Sequence, residues 1–373
     1  MNNSAEVKPK KKKTWLSFVF VGINILVIVL MALSEFGNQE NPGKPFGEIV
    51  RLLGENWYFI LLALGAFLLI ILCESLKYFV MIRACTGRNM PSASFEVAAM
   101  GKYYDFITPS GTGGQPFQMY YLKKAGLSAG VSGALPVMGF FTNQVSFIVA
   151  AIVLFIWRSS ALETAAPMKA AAIFGLVCYS VVPVLLVLFS IFPRLTKSIV
   201  SGVLKLLSKI RIVKDYEKSF GTVCRYFEDY RSNLYFLAKE KFSFISAFVL
   251  SLLAQLAIAS VPFFVLRAFG AENTVWLDVM TLSFYVYAAV TFIPTPGNMG
   301  VAEGAFYIIF KELSGGVLFW GTMIWRFFTF YLFIILGLLV VAVTSLKIKR
   351  NAAKTDAEPA GDCSEAAGKA AGT

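Results

Sequence analysis

Asp105-Phe106-Ile107-Thr108-Pro109-Ser110-Gly111-Thr112-Gly113-Gly114-Gln115-Pro116 interrupts a long apolar chain with proline, glycine and small polar residues. A second such break follows far downstream, Pro294-Thr295-Pro296-Gly297-Asn298-Met299-Gly300-Val301-Ala302-Glu303. Proline and glycine release backbone groups that hydrocarbon does not satisfy. Broken backbone persists at membrane depth only where protein buries it or where it lines a wet cavity. A matched pair of interrupted segments, one per half, points to the binding site of a transporter-like protein.

The surrounding composition supports a membrane setting. The 373 residues are 57% hydrophobic and 15% charged, with a mean hydropathy of +0.68. That pattern fits a polytopic membrane protein and no soluble class. Uncharged runs mark six spans: Trp15–Leu33, Trp57–Cys73, Ala125–Trp157, Ala170–Pro193, Phe242–Leu266 and Phe327–Leu346. The N-terminal run follows Lys10–Lys13 and lacks a clean small-residue cleavage site, so it is expected to be a retained anchor.

Lysine and arginine set the expected orientation. The Lys8–Lys13 cluster lies inside. The loop 34–56, with two basic residues against four acids, lies outside. Lys77, Arg83, Arg88, Lys102, Lys123 and Lys124 return the chain inside. The stretch 194–241 carries eleven Lys/Arg against five acids and is inside, as is the tail from Lys347. The net charge of +12 therefore follows the positive-inside rule, and no nucleic-acid partner is expected.

One economical topology satisfies these assignments. It is an all-α polytopic membrane protein with about 6 full transmembrane helices plus two Pro/Gly-broken re-entrant hairpins in an inverted repeat. Eight full crossings is the rival. The organisation is then a basic cytoplasmic N-terminus (1–14), a first membrane half (15–193), a cytoplasmic segment (194–241), a second half (242–346) and a disordered cytoplasmic tail (347–373). Within 194–241, apolar residues recur at helical spacing among lysines and arginines. Two amphipathic helices are expected there, on the inner membrane surface or packed beneath the bundle.

The absence of histidine excludes Ser-His-Asp and Cys-His nucleophiles and every histidine-dependent metal site. The five cysteines are scattered without metal or redox spacing and are expected to be free. No cofactor is implied. The candidate site is a binding site. Gly111, Gly113 and Gly114 allow close backbone approach, and unwound N–H groups suit an anion, with Ser110, Thr112 and Gln115 as neutral donors. A tight helix crossing through small residues explains the same glycines. In the second motif Pro296, Gly297, Asn298 and Gly300 break the backbone beside Glu303. Asp105 and Glu303 are carboxylates in apolar sequence, where charge is costly and usually functional. Arg326 is the third such charge. It is expected to pair with Glu303 at rest and to exchange that partner for a lipid phosphate.

These motifs also resemble a family. Tyr103–Gln118, Ile293–Gly304 and the Trp325-Arg326-Phe327 span with Tyr331 and Gly337 are similar to signatures of the flippase-like membrane domain of lysylphosphatidylglycerol synthases. The resemblance covers about residues 15–346. It implies a bacterial inner-membrane protein that moves an aminoacylated phospholipid to the outer leaflet, giving resistance to cationic antimicrobial peptides. Full-length synthases add a soluble domain that transfers lysine from lysyl-tRNA to phosphatidylglycerol. The longest hydrophilic stretch here is about 48 residues, short for a catalytic domain. The expected function is therefore lipid translocation, with a membrane phospholipid as ligand and a separate aminoacyl-lipid synthase as a candidate partner. The alternatives are phosphatidylglycerol lysyltransferase or its membrane subunit, and a small-solute secondary transporter.

Overall fold

Leucine, isoleucine, phenylalanine and alanine dominate residues 57–86, and they form one 30-residue helix, long enough to cross the hydrocarbon with turns to spare. The computed structural model describes residues 44–108, 111, 113–158, 166–209, 215–291, 293, 295, 297–311 and 316–357. The expected first span, Trp15–Leu33, lies outside them. The described elements are α1 (Phe46–Glu55), α2 (Trp57–Thr86), α3 (Pro91–Ile107), α4 (Gly114–Lys124), α5 (Ala129–Trp157), α6 (Ala166–Ile191), α7 (Pro193–Lys209), α8 (Tyr216–Lys239), α9 (Lys241–Ala268), α10 (Trp276–Val290), α11 (Val301–Phe310), α12 (Leu318–Arg326), a π-helical turn (Phe327–Tyr331) and α13 (Leu332–Ala357).

Among the described residues, five stretches are long and apolar enough to cross a bilayer: Trp57–Thr86, Ala129–Trp157, Lys169–Phe189, Lys241–Ala268 and Leu318–Leu346. Two shorter helices, Trp276–Val290 and Val301–Phe310, are also apolar. The chain is an all-α, polytopic membrane protein. The bundle is built around α2 and α9, which lie along one another. Ala247, Ser251, Ala254 and Ala257 form a buried stripe on α9. Small residues at that spacing let helix backbones approach, the main source of packing attraction in lipid. Leu61, Leu68 and Leu72 on α2 are exposed, as suits a lipid-facing surface.

Each Pro/Gly break separates a longer and a shorter helix. In the first half α3 and α4 have 17 and 11 residues. In the second, α10 and α11 have 15 and 10. At 1.5 Å per residue the shorter arms are only about 15–17 Å long, half a hydrocarbon core. The order of elements thus repeats: spanning helix, long arm, break, short arm, spanning helix.

The α3–α4 arms run antiparallel. Gly114 N–H donates to Asp105 at the break, Gln118 Nε2 donates to Val97 O at 3.0 Å, and the Tyr121 hydroxyl meets Glu96 at the far end. Both ends of the α10–α11 hairpin approach α1 and the residues just before it. Leu52 stands against Gly270, ahead of α10, and Lys44 N–H donates to Gly316 O at 3.0 Å, after α11.

Two boundaries differ from the sequence reading. The second span does not stop at Cys73 but continues to Thr86, because Glu74 and Lys77 neutralise one another inside the bundle. Lys77 is fully buried, so it is a core residue and not a marker of the cytoplasmic face. The last span, Leu318–Leu346, takes Arg326 inside it, close to the long span of about 314–346 that the sequence leads one to expect after the second hairpin. The final helix runs to Ala357, into the stretch expected to be disordered, whose remainder lies outside the described residues. The segment 194–241 is two helices, α7 and α8, joined by the Lys197–Glu228 ion pair at 2.9 Å. On α7, Leu204 is buried while Ile199, Val203 and Leu206 are exposed.

Candidate functional site

Motif residues become a site only where the breaks hold their charges. At the first break Asp105 sits near the end of α3. Its Oδ1 accepts the Gly114 N–H at 2.9 Å, the first amide of α4. Thr108 Oγ1 accepts the Gly113 N–H at 2.9 Å and donates to Tyr104 O at 2.7 Å. The amides expected to form an open anion nest are therefore engaged within the hairpin, and Asp105 offsets the positive end of α4. Gly111 holds a left-handed φ of 62°. A Cβ on Gly114 would lie 2.4 Å from Asp105 Oδ1 and 2.7 Å from Gly101 O. The glycine row is thus a tight helix crossing closed by a carboxylate. Gln115 is half-buried on α4; Ser110 and Thr112 lie outside the described residues.

The second break is built alike. Gly297, Asn298 and Gly300 all have positive φ, at 57°, 54° and 82°. Asn298 is the sole non-glycine in that state among the described residues, and asparagine tolerates it better than most residues. Glu303 Oε2 accepts the Gly300 N–H at 2.6 Å, capping α11. In each hairpin, then, a carboxylate accepts an amide at the start of the short arm, that of the first residue of α4 and that of the residue before α11. Pro296 lies outside the described residues.

Arg326 completes the second break. Its Nε lies 2.6 Å from Glu303 Oε1, and both side chains are 7% exposed. The N–H is not aligned for a hydrogen bond, so the contact is ionic. Nη1 and Nη2 face Gly297 O and Asn298 O at 3.5 Å, too long for strong bonds. The guanidinium stacks near Trp325 at 4.7 Å and Phe330 at 5.6 Å. The expected Glu303–Arg326 pair is thus present, with both Nη groups loosely held. The π-helical turn that follows places Phe330 against this site. Such turns within α-helices are rare and recur at functional positions.

Asp105 does not join this pair. Its neighbour Phe106 meets Phe330 at 5.1 Å and Phe333 at 5.7 Å, so the two breaks are connected through aromatic rings. Behind that seam, a Cβ on Gly337 would meet Tyr103 Cβ at 2.3 Å, which brings α13 hard against α3.

A second ionic cluster escaped the sequence reading. Glu74 on α2 holds Lys77 at 2.5 Å, Lys102 of α3 at 3.4 Å and Asn143 Nδ2 of α5 at 3.2 Å. Lys77 also donates to Asn143 Oδ1 at 3.0 Å. The available signal was two opposite charges three residues apart inside a 30-residue apolar helix, which is the spacing of facing side chains.

Between α5 and α6 lies an open apolar groove of about 330 Å³, lined by Phe141, Val145, Val149, Pro183, Val184 and Leu188. Ser180, its one hydroxyl-bearing residue, donates to Leu176 O. The groove suits a hydrocarbon chain and offers nothing to a headgroup. Among the described residues no group of His, Cys, Asp and Glu is arranged to hold a metal.

Each hairpin is closed by a carboxylate, and the second is met by the buried Arg326 of α12. The family model of the lysylphosphatidylglycerol synthase TM region matches residues 14–337. The chain belongs to that family. The match takes in both broken motifs and Arg326. No curated protein matches the chain significantly. The family ties this chain to the transmembrane region of such synthases.

Proposed function

We propose that this chain is the phospholipid-handling membrane subunit of a lysylphosphatidylglycerol synthase system. It would receive the headgroup of phosphatidylglycerol, or of its lysyl ester, beside Arg326. The observation that carries this reading is Arg326 itself: a buried guanidinium whose one ionic partner among the described residues is Glu303 and whose Nη donors make 3.5 Å contacts there. A phosphodiester offers two oxygens to that fork. Glu303, once released, would meet the lysyl ammonium or retain the Gly300 amide. The acyl chains would lie in lipid and in the α5–α6 groove. Gly297, Asn298 and Gly300 supply the bent backbone, while Asp105, Gly113 and Gly114 lock the first hairpin. In this reading the host is a bacterial cell membrane, both termini are cytoplasmic, and the lysine donor acts through a partner domain.

A second reading, translocation of the same lipid between leaflets, draws on a specific feature. The far ends of the α3–α4 arms meet through Tyr121 and Glu96, and both ends of the α10–α11 hairpin approach α1, which supports six crossings plus two re-entrant hairpins in an inverted repeat. That architecture suits access from alternate sides. Export of lysylphosphatidylglycerol would then lower surface negative charge and blunt cationic antimicrobial peptides.

Proteoliposomes with two readouts separate the readings. Lysyl-lipid formation is measured after adding a synthase's soluble domain and lysyl-tRNA, and headgroup flipping is measured without them. Arg326→Gln and Glu303→Gln are expected to lower the operative activity at least tenfold. Product formation that depends on the chain supports the subunit reading; flipping alone supports translocation. Wild-type behaviour of both variants in both assays would sink the Arg326 site.

A further inference from the structure

We propose that Lys102 is the contact residue of a second anion site, in the first half of the molecule, that takes a phosphate-bearing group. The Glu74 carboxylate is served three times, by Lys77, Lys102 and Asn143. Lys77 is wholly buried and has no path outward. Lys102 differs: its side chain is 25% exposed and its contact with Glu74 is the long one, 3.4 Å. When Lys102 turns to an incoming anion, Glu74 keeps Lys77 at 2.5 Å and Asn143 at 3.2 Å. Glu74 is then not stranded, and stranding is the penalty that ordinarily locks a buried ion pair in place. A lysine ammonium meets phosphate oxygens as a point charge with three donors.

The position of Lys102 gives the contact a consequence. It lies on α3, one turn before Asp105, whereas Glu74, Lys77 and Asn143 lie on α2 and α5. The Lys102–Glu74 contact is therefore an ionic tie between the first hairpin and the spanning helices, and an anion at Lys102 would loosen it. The ligand chemistry is a phosphate oxyanion; that its source is a lipid headgroup rests on the proposed function above.

The test uses the full chain in detergent and three probes: dioctanoyl phosphatidylglycerol, glycerol phosphate and inorganic phosphate. Binding stoichiometry and affinity are measured calorimetrically for the wild type, Lys102→Gln, Lys102→Arg and Arg326→Gln. Lys102→Gln is expected to weaken one class of site at least tenfold, and Lys102→Arg to restore it. Its melting temperature without ligand should stay near that of the wild type, because Glu74 keeps two partners. Lys102-dependent binding of the lipid alone assigns the site to a headgroup; equal binding of all three probes assigns it to free phosphate. Unchanged binding in Lys102→Gln overturns the proposal. If that result accompanies loss in Arg326→Gln, the site of the proposed function survives and only the second site falls. Loss in Lys102→Gln without loss in Arg326→Gln supports the second site and removes the first.

Discussion

At the residue scale, two buried carboxylates differ in what they balance. Asp105 serves a helix end through Gly114; Glu303 serves both a helix end and a guanidinium. Arg326→Gln should destabilise the protein by about 3–5 kcal/mol, since it leaves an uncompensated buried charge. Glu303→Gln should do the same from the other side. The double variant should lose less than the sum of the two, as contacting charges are coupled. Denaturation in detergent across that cycle measures the coupling, and strict additivity would show that the pair does not interact. Gly114→Ala is argued on space alone. Its methyl group would fall within 2.7 Å of Gly101 O, a backbone atom that cannot swing away. A loss of about 1–3 kcal/mol is expected from overpacking, read as a lower melting temperature. An unchanged melting temperature would mean that the hairpin arms are not so closely apposed.

At the element scale, α2 tolerates charge because its neighbours complete it. Lys77→Met should cost about 3–5 kcal/mol, because it removes the fully buried partner nearest Glu74 and leaves only the longer, part-exposed Lys102 as its cation. Adding Glu74→Gln should recover much of that loss, because no buried charge then lacks a partner. Thermal melts of the two variants check this, and a double variant worse than Lys77→Met would contradict it. The spans were largely visible in the linear text, since mean apolarity over some twenty residues suffices to mark them. Their limits were not. A run of uncharged residues ends at Glu74, whereas the helix does not, because a charge three residues on lies on the same face. Arg326 shows the same principle at the start of the last span. The small-residue stripe on α9 and the π-helical turn after Arg326 left no readable trace, as both depend on which neighbour each face meets.

At the scale of the whole molecule, the arrangement of hairpins decides from which side a ligand reaches each break. Cysteine placed at Gln115 is expected to react with an impermeant thiol reagent from the cytoplasmic side only, in a background without native cysteines. Cysteine at Thr274 provides the outside reference. Labelling of Gln115→Cys from outside only would replace the first hairpin with two full crossings. The contact of Phe106 with Phe330 connects the two breaks, so a change at one has a packed route to the other.

Composition alone determined that this chain lives in a membrane, because an apolar, charge-poor polymer of this length has no soluble solution. Local text also marked the two breaks, since proline and glycine disrupt a helix wherever they stand, and it singled out Asp105, Glu303 and Arg326 as charges too costly to be idle. Only the tertiary structure decided what those charges hold. Glu303 and Arg326 are brought together by the packing of α11 against α12, while Asp105 turns back on its own hairpin. The Glu74 cluster exists only because α2, α3 and α5 converge. Coulomb attraction in a medium of low polarity is strong but short in reach, so partnership follows from which helices touch, and that is a property of the fold.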